Sequence, residues 1–226
     1  MKIKGFIFDL DGVIVDTAKY HFLAWRKLAN SVGVDFTEEQ NEQLKGVSRV
    51  KSLEKILAWG SITLSDDKFT ELMTKKNHDY LKYVDQMDES EILPDVTKVL
   101  AYLQFKSQPI SLGSASKNAR NILKKVSLFE SFDAIVDGTD VSKGKPNPEV
   151  FLTAAKLLNL PPEDCIVFED SLAGIQAANN ANMISIGIGS SEVLFEADFV
   201  FKDFTEISTE FIDMLLTEEL KLKNQS

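Results

Sequence analysis

A doubly wound, parallel α/β sheet carrying an inserted α-helical cap is the fold this sequence predicts, on three observations. The run Phe6-Ile7-Phe8 reads as a buried apolar strand that ends in two carboxylates, Asp9 and Asp11. Residues 17–84 show helix-like apolar spacing with few strand signals. From Leu93-Pro94 onward, strand and helix patterns alternate. Strands separated by helices pair in parallel through right-handed crossovers, and the helical stretch becomes an insert above the sheet. This division gives residues 1–15 and 91–226 to the α/β core and 16–90 to the cap.

In chain order, the first strand places Asp9 and Asp11 on one side, because side chains alternate faces, and turns Leu10 away. Helices are expected over 17–32, 38–45, 50–59 and 66–84. The core then resumes with a helix over 96–105, a strand over 109–112, a helix over 119–126 and a short strand over 133–136. A helix over 148–158, a strand over 165–168, a helix over 172–181, a strand over 184–188 and a last helix over 207–222 complete it. The Lys/Glu-rich tail after Leu216 reads as a fraying, solvated helix end.

With 226 residues, 44% of them hydrophobic, the chain is long enough for one large domain and a smaller one. Its net charge of −10 argues against nucleic acid or an anionic membrane as partner, since both require basic surface. Any phosphate it binds must therefore meet a few placed cations. The single cysteine, Cys165, reads as a small residue in a buried strand. No apolar run reaches membrane-spanning length and the first residues form a strand, so cytoplasm is the expected location. Gly187-x-Gly189 lacks the third glycine of a dinucleotide fingerprint, and the Gly138 to Gly144-Lys145 spacing is one residue too long for a P-loop.

Ligands of such sheets collect outside the C-terminal strand ends. Four groups stand there: Asp9 and Asp11, the loop Ser114-Ala115-Ser116-Lys117-Asn118, Lys145, and Glu169-Asp170. Each alone has a plain reading, as turn residue, helix N-cap or solvated cation. Together they place carboxylates from two strands, a hydroxyl loop and a lysine around one crevice. Adjacent carboxylates resist joint ionisation, so a divalent cation, a shared proton or a metal-bearing anionic substrate must hold Asp9 and Asp11 together.

The strings Asp9-Leu10-Asp11-Gly12-Val13, the Ser114 loop, Lys145-Pro146-x-Pro148 and Glu169-Asp170-Ser171-x-x-Gly174-Ile175 resemble the four signatures of the haloacid dehalogenase superfamily, spread across its Rossmannoid core. In the insert, His21-Phe22-x-x-Trp25 and Asn41-Glu42-Gln43-Leu44-Lys45-Gly46-Val47-Ser48-Arg49 look like the motifs of its sugar-phosphate mutases. Departures are Gly113, where alanine is expected, and Val50-Lys51 ahead of Ser52.

The resemblance implies a Mg²⁺-dependent phosphotransferase acting on a small sugar phosphate. It interconverts β-D-glucose 1-phosphate and β-D-glucose 6-phosphate through an aspartyl phosphate and β-glucose 1,6-bisphosphate. Asp9 is then the nucleophile and Asp11 the general acid and base. Mg²⁺ falls to Asp9, the Asp11 main-chain carbonyl, Asp170 and Glu169, an all-oxygen set. Ser114 and Lys145 neutralise the phosphoryl oxygens. Thr17 and His21, four residues apart on one helical face, couple cap closure to Asp11. Lys45, Gly46, Val47, Arg49 and Ser52 read the substrate from the cap, with Ala115, Ser116, Lys117 and Asn118 opposite. Trp25 reads as cap core. A monomer is expected, with a place in disaccharide breakdown. The alternatives are a sugar-phosphate phosphatase with water as acceptor and a silent module that senses a phosphorylated metabolite.

Overall fold

The computed structural model describes residues 3–217. Its sheet is built from β1 (Gly5–Phe8), β2 (Ile110–Gly113), β3 (Ala134–Val136), β4 (Cys165–Glu169), β5 (Ile184–Ile188) and β6 (Phe199–Phe201). Their order is β3-β2-β1-β4-β5-β6, and every neighbouring pair is parallel. The chain winds outward from β1 on one side, then returns to start β4 on the other. The strand order therefore reverses at β1 and β4, which opens a crevice beyond their C-terminal ends.

Alternation along β1 divides the core into two layers. Phe6 and Phe8 face one way, where Phe8 stacks on Phe168 with ring centroids 4.6 Å apart, and Phe204 joins them. That face is covered by α5 (Val96–Phe105), α6 (Ala119–Lys125) and α9 (Thr209–Leu215). Ile7 and Val167 face the other way, onto α7 (Glu149–Leu157) and α8 (Leu172–Asn180). Cys165 lies in this second layer, fully buried, and burial pushes its thiol up to about 11. Gly113 has a packing reason: a Cβ there would sit 2.9 Å from the Phe151 ring.

Between β1 and α5 lie α1 (Ala18–Ser31), α2 (Glu38–Glu42), α3 (Arg49–Trp59) and α4 (Asp66–Val84). Thr37, Ser48 and Ser65 cap the last three through their hydroxyls, Thr37 in a reciprocal capping box with Gln40. These helices pack around a core of their own that includes Trp25, Leu28, Phe36, Leu53 and Ile56. The insert leaves and rejoins the sheet at one place. Val15 bridges Ile92, Asp16 N donates to Glu91 O at 3.0 Å, and Leu93 N donates to Ile14 O at 3.0 Å.

Two expectations are corrected, and one strand is added. The sixth strand, Phe199–Phe201, an edge strand between Asp198 and Lys202 paired with β5, is not among the expected strands. The last helix spans Thr209–Leu215 rather than 207–222; residues 218–222 and most of the tail lie outside the described residues. β1 ends at Phe8, and the chain then turns, with Ile14 N and Val15 N both reaching Leu10 O. The direction of Asp11 is therefore set by that turn rather than by strand alternation. No helix among the described residues is long and apolar enough to cross a membrane.

Candidate active site

Asp9 follows β1, and its N–H donates to Phe168 O of β4 at 2.9 Å, which fixes it beside Glu169. Lys145 reaches in from the loop before α7, its ammonium 4.8 Å from the Phe151 ring centre. It donates to Asp9 Oδ1 at 2.6 Å and to Glu169 Oε1. The second Glu169 oxygen accepts from Ser171 N at 2.9 Å and Ser171 Oγ at 2.8 Å. Ser171 also caps α8 by accepting from Gly174 N at 3.1 Å. Any side chain at Gly174 would collide with Glu169, since a Cβ there would lie 1.9 Å from its carboxyl carbon.

Charge and burial oppose each other here. Burial lifts the Asp9 carboxyl to about 7 against the pull of Lys145, and burial together with Glu169 lifts Asp170 well above the carboxylate range. Burial disfavours the Lys145 ammonium, but Asp9 and Glu169 outweigh it and hold Lys145 above an ordinary lysine. One lysine among three acids leaves an excess of negative charge. Asp9, Glu169 and Asp170 each offer an oxygen within 4.8 Å of the others. Hard oxygen donors with spare lone pairs suit a hard divalent cation, so this donor set fits one. The Asp11 carboxylate is outside the set. Gly12, at φ +80°, lets the backbone pass Asp170, whose Oδ2 would be 2.2 Å from a Cβ.

Asp11 faces the insert. Its Oδ1 accepts from Thr17 Oγ1 and lies 3.8 Å from His21 Nε2. Burial raises the Asp11 carboxyl, and the Thr17 hydrogen bond opposes that rise. His21 Nδ1 is 2.9 Å from Lys76 Nζ. An ammonium only donates, so Nδ1 accepts and the neutral imidazole carries its proton on Nε2, toward Asp11. Burial, then Lys76 and Arg49, push His21 well below the usual histidine range. Lys76 is 2% exposed, 4.5 Å from the Trp25 ring centre and 4.7 Å from that of Tyr80. Burial and then Arg49 lower it to about 7. Among the described residues Arg49 makes no hydrogen bond or ion pair, and burial lowers it too.

The loop after β2 is internally braced. Ser114 is buried, and its Oγ accepts from Ser116 N at 3.1 Å, leaving its proton to donate. Ser116 Oγ accepts in turn from Asn118 N at 3.3 Å, and Asn118 Nδ2 donates to Asn77 Oδ1 of α4 at 3.1 Å. Ala115 is half-buried and Lys117 exposed. In the insert, Lys45 Nζ lies 2.9 Å from Glu42 and 3.5 Å from Asp170 Oδ2. Gly46 has φ +68°, and a Cβ there would meet Ser171 Oγ at 2.3 Å, so its close approach is to the core itself. Val47 is half-buried. Ser52 is buried, with its hydroxyl donating to Ser48 O at 3.1 Å. Lys51 is exposed and paired with Glu54 at 2.8 Å.

Sequence reasoning missed Lys76 and Asn77. A signal existed for Lys76: Leu72, Lys76 and Tyr80 recur at four-residue spacing, which puts a lysine on the buried face of α4. Asn77 carries no comparable mark.

A parallel sheet whose crevice gathers an aspartate pair, a lysine and a second acidic strand end defines a metal-dependent phosphotransferase fold. The chain belongs to the haloacid dehalogenase-like hydrolase family, whose model matches residues 3–182. It is 41% identical over 215 residues to β-phosphoglucomutase of Bacillus subtilis, covering 93% of this chain and 94% of that protein. The crystal structure of β-phosphoglucomutase from Clostridium difficile superposes with a TM-score of 0.92 at 42% identity, over 97% of this chain and 99% of that one. A phosphorylated carbohydrates phosphatase of Thermotoga maritima is 32% identical, over 88% of this chain and 93% of that protein.

Proposed function

We propose that this chain interconverts β-D-glucose 1-phosphate and β-D-glucose 6-phosphate, with its helical insert serving as a cap over the crevice. The observation that carries the reading is an acidic cluster on the core beside insert cations that reach toward Asp11 through His21. Asp9, Glu169, Asp170 and Lys145 stand on the core, while in the insert Lys76 contacts His21, which lies 3.8 Å from Asp11 Oδ1, and Arg49 and Lys76 have no carboxylate ion partner among the described residues. Cations without an ion partner, Lys76 buried and Arg49 half-buried, on a strongly acidic protein await an anion, and a sugar phosphate supplies one at each end of the reaction.

Asp9 attacks phosphorus. In one half-reaction a free sugar hydroxyl attacks phospho-Asp9 and the P–O bond to Asp9 breaks, giving β-glucose 1,6-bisphosphate; in the other, after that molecule turns end for end, the Asp9 carboxylate forms a P–O bond to its other phosphate as the bond from phosphorus to the sugar oxygen breaks. Lys145 and the Ser114 hydroxyl balance charge on the phosphoryl oxygens. Asp11 donates its proton to the departing sugar oxygen and takes one from the attacking hydroxyl in the other half-reaction; Thr17 and His21 hold its carboxyl in place. Asp9, Asp170, Glu169 and the Asp11 main-chain carbonyl would hold Mg²⁺, which would supply positive charge to offset the negative charge shared by nucleophile and phosphate. Arg49 and Lys45 from the cap, with Ser116, Lys117 and Asn118 from the core, grip the second phosphate. A cap held by both ends of one substrate keeps water from the aspartyl phosphate, which favours a sugar hydroxyl as acceptor.

The deciding experiment adds β-glucose 1-phosphate and a trace of bisphosphate to the Mg²⁺-loaded enzyme, then measures glucose 6-phosphate against free phosphate. Isomerised sugar in large excess is expected. Phosphate as the dominant product would assign the chain to sugar-phosphate hydrolysis instead.

A further inference from the structure

Asn77 has no role in the chemistry above, yet it makes a side-chain hydrogen bond from the insert to the loop proposed to grip the second phosphate. Its Oδ1 accepts from Asn118 Nδ2 at 3.1 Å. Asn118 is the last link of a chain in which Ser114 Oγ holds Ser116 N and Ser116 Oγ holds Asn118 N. Those bonds fix the Asn118 backbone and leave its side chain free to turn. Nor does the helix use that side chain: Asn118 stands at the N-cap of α6 without making a capping bond. Asn77 fills the gap from the opposite side, one residue beyond Lys76 on α4, so a single helix addresses both His21 and the Asn118 loop. Asn77 also lines a surface groove of about 340 Å³ together with Arg49.

We propose that Asn77 is a positioning residue: it orients the Asn118 amide for the distal phosphate, and does so only when the cap meets the core. The proposal rests on the reading of the site given above. Because Asn77 Oδ1 accepts one amide proton, the second Asn118 N–H has a fixed direction in which to meet an anion. An unrestrained amide would have to be ordered by the ligand itself, at a cost in affinity.

The test is a double-mutant cycle on the unphosphorylated enzyme in Mg²⁺ buffer, reading calorimetric affinity for glucose 6-phosphate. Asn77→Ala and Asn118→Ala should each weaken binding by roughly five- to tenfold, the range of one hydrogen bond. The double variant should bind no more than about twofold worse than Asn118→Ala alone, because Asn77 acts through Asn118. In turnover, Asn77→Ala should raise KM with kcat nearly retained, as loss of binding common to ground and transition states requires. Lys75→Ala, on the exposed side of the same helix, should change neither. Additive losses, an unaltered Asn77→Ala affinity, equal falls in kcat and kcat/KM, or no wild-type binding of the probe would each overturn the proposal. Wild-type enzyme that binds the probe but releases phosphate without isomerising would sink the mutase reading alone, since the cycle reads occupancy rather than product.

Discussion

His21 Nδ1 and Lys76 Nζ stand 2.9 Å apart, and the imidazole thereby presents its other nitrogen to Asp11 Oδ1 at 3.8 Å. A buried lysine in contact with a neutral histidine, with no carboxylate ion-paired to it among the described residues, is poised between its charged and neutral forms.

This pair makes stability depend on pH with a definite sign. Lys76 falls to about 7 in the folded protein from an ordinary value of 10.5, so between those pH values the unfolded chain binds the extra proton. Stability therefore rises with pH across that window, because the penalty for a buried charge is relieved as Lys76 deprotonates. Below pH 7 both states are protonated and the penalty is present in full. Urea unfolding at pH 7 and pH 9.5 should show a rise that Lys76→Met lacks. Sugar-phosphate affinity should move the opposite way, weakening above pH 7 as the cation is lost. Parallel stability curves for the two proteins would count against a perturbed Lys76.

Metal binding and proton transfer should separate by mutation. Asp11→Ala keeps the carboxylates of Asp9, Glu169 and Asp170 and should retain Mg²⁺ affinity within a fewfold while turnover falls by ~10²–10⁴-fold. Asp170→Asn should do the reverse to the metal, weakening it markedly. Mg²⁺ titration followed by thermal shift, beside a coupled mutase assay, checks both; residual Asp11→Ala activity close to wild type would refute its role.

Arg49→Ala should raise KM for sugar phosphates by roughly 10- to 100-fold, the range of a charge-assisted hydrogen bond, while acetyl phosphate hydrolysis changes far less. Equal losses in the two assays would remove Arg49 from the distal phosphate.

Gly46→Ala tests how the insert seats on the core. An L-residue at φ +68° costs about 1–2 kcal/mol, and its Cβ would meet Ser171 Oγ. Stability should fall by that amount. Mutase turnover should fall by roughly tenfold or more, since a cap held off the core misplaces the acceptor. Unchanged kcat would show that the contact is dispensable.

The core was legible because its strands read as short, mostly apolar runs alternating with helical patterns, and because a parallel sheet gathers its strand ends on one side. Asp9, Lys145 and Glu169 could be placed together from that rule alone. The insert was less transparent. Trp25 follows from helical spacing, but Ser52 lies buried on its own helix with its hydroxyl turned to Ser48 O, which no spacing reveals. Lys76 is marked by its four-residue spacing with Leu72 and Tyr80, but its partner His21 lies on another helix of the insert. Asn77 reaches across to Asn118 of the core, a contact that depends on how the two units meet rather than on any local period.

The ribbon formed by residues 14–16 and 91–93 brings both ends of the insert to a single doorway beside Asp11. A segment attached in this way can be replaced by another of different length without shifting a strand of the sheet. Nucleophile and acceptor choice thus reside in separately exchangeable pieces of the chain, so lineages can acquire new clients while the phosphoryl-handling machinery stays as it was.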